Sequence, residues 1–140
     1  VEVLFLAGYL RLIPSEVVHR YRRKILNIHP ALLPSFGGKG MYGMRVHQAV
    51  VDAGESMTGA TVHYVDEEYD RGTIIGQWRV PVEPNDSAEV VAAHVLKIEH
   101  RLYPLAAHHV CSALIEGRDP GPLELPELSS TTTTDLEHTE

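Results

Sequence analysis

The order of apolar runs and turns predicts an α/β fold: an open, mostly parallel sheet with one antiparallel strand and helices on both faces. Three observations carry this reading. Val1-Glu2-Val3-Leu4-Phe5-Leu6-Ala7 is almost continuously apolar, the pattern of a strand buried on both faces. A short helical stretch separates it from a second apolar run, Lys24 to His29. Strand–helix–strand units of this kind close as right-handed parallel crossovers in nearly all cases. Two later runs, Thr58 to Val65 and Thr73 to Val82, are joined by one short loop, which suits antiparallel neighbours.

Each element has its own punctuation. Gly8 turns the chain out of the first strand, and Pro14-Ser15 opens a short helix, where proline is tolerated in the first turn. Val17, Val18 and Tyr21 are expected to pack that helix on the sheet. Pro30 cannot donate to a ladder, so the second strand must stop at His29. A loop from Pro34 to Gly43 contains four glycines but lacks the spacing of a phosphate-cradling Walker loop. Met44 to Ala53 reads as a helix ended by Gly54, with Val46, Ala49 and Val50 as its apolar stripe. The last helix begins near Asp86, which stands at capping-box spacing from Glu89. Val91, Val95, Ile98, Leu102 and Leu105 are its expected buried face, and Pro104 predicts a kink or break near Tyr103.

Residues 1–118 form one expected domain, and 119–140 a largely irregular acidic tail, of which Leu123 to Leu128 could lie along the body. The chain of 140 residues has a net charge of −7, but six acidic residues (Asp119, Glu124, Glu127, Asp135, Glu137, Glu140) sit in a tail without Lys or Arg. The rest is close to neutral, which argues against an extended nucleic-acid footprint. Its one basic cluster, Arg20, Arg22, Arg23 and Lys24, reads as a solvated helix end. No apolar run approaches the roughly 18 residues of a membrane span. Cys111 is the sole cysteine, so no intrachain disulfide or thiolate metal cluster is expected, and a cytoplasmic compartment is the default. A buried first strand needs neighbours on both sides, so a preceding N-terminal portion is expected.

The chemistry concentrates at Asn27-Ile28-His29-Pro30. Side chains two apart on a strand share a face. Asn27 and His29 therefore emerge together at the carboxyl end of a strand, where open α/β sheets bind ligands. Asp70, in the loop between strands three and four, is placed to join them. An amide beside an imidazole provides two donors to one oxygen, as acyl transfer through an oxyanion requires. A carboxylate beside the imidazole would favour its protonated form. No Ser or Cys stands beside a base, which disfavours a covalent acyl-enzyme. A metal site from His29, His47, His63 and Asp70 is the other reading; nine histidines make such coincidences common, and no H-E-x-x-H is present.

Asn27-Ile28-His29-Pro30-Ala31-Leu32-Leu33-Pro34 resembles the signature of the folate-dependent formyltransferases. Gly59-Ala60-Thr61-Val62-His63-Tyr64-Val65, the Asp70-x-Gly72 turn and Ile74-Ile75-x-Gln77 follow in the family's order, and Glu99-His100-Arg101-Leu102-Tyr103-Pro104 is similar to its glycinamide ribonucleotide branch. The resemblance covers about residues 1–118. It implies a Rossmann-like formyltransferase fold, incomplete at its N-terminus, and direct transfer of a formyl group from 10-formyltetrahydrofolate to the amine of glycinamide ribonucleotide, in purine synthesis. By motif, Asn27 and His29 would hold the formyl oxygen, and Asp70 would keep His29 charged and relay a proton. Leu10, Arg11, Leu12 and Ile13, with Asp66, Glu67, Glu68 and Asp70, would line the folate site. Glu99 would bind ribose hydroxyls, with Pro30 and Gly38 beside the substrate and Thr61 and His63 supporting the catalytic groups. A cis peptide is implied at Leu33-Pro34, and no metal is implied.

Two departures accompany the resemblance. The family's N-terminal βαβ segment, whose glycine-rich turn holds the substrate phosphate, has no counterpart here. A chain beginning at Val1 is thus expected to grip that phosphate weakly. The stretch from Gly38 to His47 is longer than in many relatives, which leaves His47 without a role. The expected partners are the two small molecules, without nucleic acid or membrane, in a monomer or homodimer. A tRNA formyltransferase, a formyltetrahydrofolate hydrolase and a folate-binding module are the rival readings.

Overall fold

The computed structural model describes residues 1–8, 11–67, 70 and 72–125. Seven elements follow in chain order: β1 (Leu4–Leu6), α1 (Ser15–Arg20), β2 (Ile25–His29), α2 (Met44–Asp52), β3 (Met57–Tyr64), β4 (Ile74–Pro81) and α3 (Ala88–Ile115). The four strands form one sheet in the order β1-β2-β3-β4. β1 and β2 are parallel, and β3 runs antiparallel to both β2 and β4. β3 is thus the single reversed strand, although two of the three pairings are antiparallel.

The expected strands fall within a residue or so of the observed ones, except β1. Instead of a seven-residue buried strand, it is three residues long at one side of the described sheet, and Phe5 is 44% exposed.

Period-two alternation divides the sheet chemically. Leu26, Val62, Ala60, Trp78 and Val80 point to one face, where they form a core with Val91, Val95, Ile98, Leu102, Ala106 and Val110 of α3. The register sets Asn27 opposite His63 and His29 opposite Thr61, with Thr61 opposite Gln77. These polar residues therefore share the other face.

Three expectations about α3 are corrected. It does not break: it runs through Pro104 for 28 residues. Proline in a helix interior costs about 3 kcal/mol, and the apolar stripe packed on both sides of Pro104 offsets this. Leu105 is exposed, and Ala106 takes the buried position. Ser87, not Asp86, is the N-cap: its side chain accepts from the Val90 N–H at 3.2 Å, while Asp86 accepts from the Glu83 N–H. On α1 only Val18 is buried; on α2 the buried set is Val46, His47 and Val50. Beyond α3, Leu123 donates its N–H to the Ile75 carbonyl at 2.7 Å, and Leu123 and Leu125 pack against the core. The remainder of the tail, from Pro126, lies outside the described residues.

Candidate active site

β2 ends by presenting Asn27 and His29 on the polar face, and the Asp70 loop comes back over them. Asp70 Oδ1 lies 3.5 Å from His29 Nδ1 and 3.5 Å from His63 Nε2, so one carboxylate serves two imidazoles. Its other oxygen, Oδ2, accepts the Gly38 N–H at 3.0 Å. Burial pushes the Asp70 carboxyl up, but the His63 hydrogen bond, the His29 charge and the Gly38 N–H together outweigh it and hold it below the usual range. Asp70 is therefore an anion at neutral pH.

A hydrogen bond also fixes the tautomer of His29. His29 Nε2 is 2.7 Å from the Phe36 carbonyl, which only accepts, so that nitrogen carries the proton. Nδ1 is then the nitrogen that gains a proton, facing Asp70. His63 Nδ1 lies 3.0 Å from the Tyr64 carbonyl, and its Nε2 faces Asp70 and stands 3.4 Å from Asn27 Nδ2.

The expectation that Asp70 keeps His29 charged is corrected. Burial is the largest influence on His29 and lowers its pKa; Asp70 and the Phe36 carbonyl raise it, and His63 lowers it further. The net direction is downward, so the resting imidazole is neutral at pH 7. A ring 4% exposed has lost too much hydration for one half-buried carboxylate to compensate.

Backbone geometry around the pair is tight. Phe36 and Asp70 both have positive φ, 55° and 52°, in a region that costs a non-glycine residue about 1–3 kcal/mol. A Cβ on Gly72 would lie 1.6 Å from the Tyr64 carbonyl oxygen, so that turn admits glycine alone. Thr61 and Gln77 hold the opposite side. Thr61 Oγ1 donates to the Ala31 carbonyl at 2.7 Å and accepts from the Leu33 N–H at 3.1 Å and Gln77 Nε2 at 3.0 Å. Gln77 Nε2 also donates to the Leu33 carbonyl at 2.8 Å. The Leu33-Pro34 peptide between these contacts is cis.

Two cavities flank the group. One, about 540 Å³, is lined by Leu33, Pro34, Gly37, Gly38, Asp70, Gly72 and Ile74. The other, about 400 Å³, brings Asn27 and Pro30 together with Tyr42, His47, Leu96 and Glu99. Burial pushes the Glu99 carboxyl up to about 7. His47 is buried, its Nδ1 has no hydrogen-bond partner among the described residues, and burial with the neighbouring His29 lowers its pKa.

The structure thus unites Asn27, His29, Thr61, His63, Asp70 and Gly38, and sets Pro30 and Glu99 in the adjoining cavity. Arg11 and Leu12 are exposed and Ile13 is half-buried. Asp66 is half-buried too, and Glu67 is paired at 2.8 Å with His19 at the end of α1. Leu10 and Glu68 lie outside the described residues. Among the described residues, no three His, Cys, Asp or Glu are grouped to hold a metal ion. Sequence reasoning missed the Phe36 carbonyl, for which no side-chain signal exists, and the role of Gln77, which the register opposite Thr61 would have shown.

Comparison with known proteins adds independent findings. The formyl transferase family profile matches residues 1–107. The chain is 51% identical over 121 residues to a chloroplastic phosphoribosylglycinamide formyltransferase of Vigna unguiculata, covering 86% of this chain and 39% of that protein. It is 42% identical over 105 residues to the phosphoribosylglycinamide formyltransferase of Haemophilus influenzae, covering 75% and 47%. The chain therefore spans less than half the length of these relatives. Among solved structures, the Brucella melitensis phosphoribosylglycinamide formyltransferase matches with a TM-score of 0.66 at 50% identity, over 75% of this chain and 51% of that one. A formyltetrahydrofolate deformylase from Pseudomonas syringae matches with a TM-score of 0.58 at 36% identity, over 66% and 29%.

Proposed function

Because this chain belongs to the formyl transferase family, we propose that it carries the catalytic part of a phosphoribosylglycinamide formyltransferase. The reaction moves a formyl group from 10-formyltetrahydrofolate to the amine of glycinamide ribonucleotide. One observation carries the reading: Asn27 and His29 leave one strand end on one face, with Asp70 between His29 and His63 and a carboxyl-bearing cavity beside them.

In the step, the substrate amine attacks the formyl carbon and the carbonyl electron pair moves to oxygen. The Asn27 amide and a His29 N–H donate to that oxyanion, the largest catalytic term in such reactions. The C–N bond to the folate then breaks, and the proton lost by the amine ends on the folate nitrogen. His29 is neutral at rest, and a proton at Nδ1 is favoured only once negative charge develops nearby; Asp70 then faces the cation formed. His29 Nε2–H is engaged by the Phe36 carbonyl in this structure, so a substrate oxygen competes with a backbone oxygen for that donor. Glu99 would meet ribose hydroxyls, and with its carboxyl pushed up to about 7 its protonated form would both donate and accept. The loop through Arg11–Ile13 and the loop through Asp66 and Glu67 would receive the folate. Among the described residues no helix is long and apolar enough to cross a membrane, and we place the reaction in the cytoplasm; the plant relatives' names are chloroplastic.

The test is a formyl-transfer assay with both substrates. The reading requires formylated product and tetrahydrofolate in equal amounts. Tetrahydrofolate and formate released without the amine would identify a hydrolase, a reading that the deformylase likeness keeps in view. Folate binding without either product would identify a binding module.

A further inference from the structure

Tyr103 stands one turn beyond Glu99 on the same face of α3, a spacing at which helix side chains are neighbours. Its hydroxyl oxygen is 2.8 Å from the Leu6 carbonyl of β1 and 3.0 Å from the Leu26 carbonyl of β2. One O–H proton is thus shared between the last residue of β1 and the peptide bond that leads into Asn27. Leu6 is the register partner of Asn27. The ring meets Phe5 edge-on, with centroids 6.1 Å apart.

We propose that Tyr103 is a positioning residue for formyl transfer, its hydroxyl tying the carboxyl end of β1 to the Leu26 carbonyl early in β2, so that the loop after β1 keeps a fixed place relative to Asn27. β1 has only three residues, and a strand that short frays readily without an added tie. A clamp at its last carbonyl acts where the chain leaves for the Arg11–Ile13 loop. The same α3 face carries Glu99 in the adjoining cavity, so one helix sets both the cavity wall and the tie between β1 and β2. Burial raises the Tyr103 pKa, with the Leu6 contact acting in the opposite direction, so the phenol keeps its proton as a donor.

The kinetic part rests on the formyltransferase reading; the exchange part does not. Tyr103→Phe keeps the ring and removes only the hydroxyl. Amide exchange at residues 6–8 is expected to speed up at least about fivefold, the factor set by one neutral hydrogen bond, while α3 keeps its protection. The KM for the folate donor is expected to rise by a similar factor, with the KM for glycinamide ribonucleotide within about twofold of wild type. Phe5→Ala removes the ring contact but leaves the hydroxyl, and should lower Tm without that KM split. Unchanged exchange at 6–8 in Tyr103→Phe would overturn the clamp, as would wild-type amides there that exchange as fast as unprotected chain. A KM split reproduced by Phe5→Ala, or both KM values unchanged in an active Tyr103→Phe enzyme, would overturn the positioning role. If the wild type transfers no formyl group, the functional reading fails and the exchange result still decides the clamp.

Discussion

β1 and β2 run side by side in one direction and stop at the same edge of the sheet, but their ends are held in different ways. Beyond β2, the chain is tied at the Ala31 carbonyl, at both polar groups of Leu33, at the Phe36 carbonyl and at the Gly38 N–H, to side chains from every strand but β1 and from the Asp70 loop. Beyond β1, Gly8 turns with φ 69°, Arg11 and Leu12 face solvent, and the Tyr103 hydroxyl donates to the strand's last carbonyl. On the proposed function, the groups that would meet a developing charge to within a fraction of an ångström sit on the overdetermined end. The segment that would, on the same reading, admit and release the folate sits on the other.

The comparison breaks most severely at the reacting groups. Asn27→Ala, His29→Ala and Asp70→Asn are each expected to lower kcat about 10²-fold or more, measured with both substrates saturating; near wild-type turnover in any one would remove it from the catalytic set. Next comes the scaffold beneath them. Thr61→Val removes the oxygen that satisfies the Leu33 N–H and one Gln77 N–H, and is expected to cost about 2–3 kcal/mol in urea unfolding. A loss below about 0.5 kcal/mol would show that the β2 end is held by other contacts.

The pH response separates the two sides of the site. The His29 pKa is lowered by burial, so the unfolded chain binds more protons below about pH 6.5. Stability from His29 is therefore complete above that pH and lost as pH falls through the folded value. Glu99 has the opposite sign: its folded pKa of about 7 lies above the unfolded carboxyl value. Its ionisation thus weakens the fold as pH rises through 7. Glu99→Gln should raise Tm at pH 8 by roughly 4 °C, with the gain shrinking toward pH 5. An equal gain at both pH values would mean that ionisation is not the cause. The smallest effect is expected on the α3 face. Thr58 Oγ1 is buried there without a partner among the described residues, and Thr58→Val should stabilise by about 0.5–1 kcal/mol, read from the same urea curves.

Much of this was legible beforehand because a strand's period of two leaves little freedom. Once β2 was bounded by Pro30, Asn27 and His29 had to share a face, and the turn at Gly72 had to bring Asp70 near. Side-chain patterning carries no information about a backbone oxygen, so the Phe36 carbonyl on His29 Nε2 could not be anticipated. The charge on His29 was misjudged for a related reason: one carboxylate neighbour is visible in sequence, while the loss of hydration depends on the whole packed surround. Pro104 misled because local propensity favoured a break that a continuous apolar stripe overrides.

The single N–H···O bond from Leu123 to Ile75 has a consequence for colloidal behaviour. Among the described residues β4 has a strand, β3, on one side only, and an unpaired strand edge is a template on which another chain can add. Leu123 and its neighbours lie along that edge, and the Leu123 side chain presses within 3.2 Å of where a Cβ on Gly76 would be. A few residues of otherwise irregular chain thus cover part of that edge, leaving fewer free backbone groups on which another chain could add.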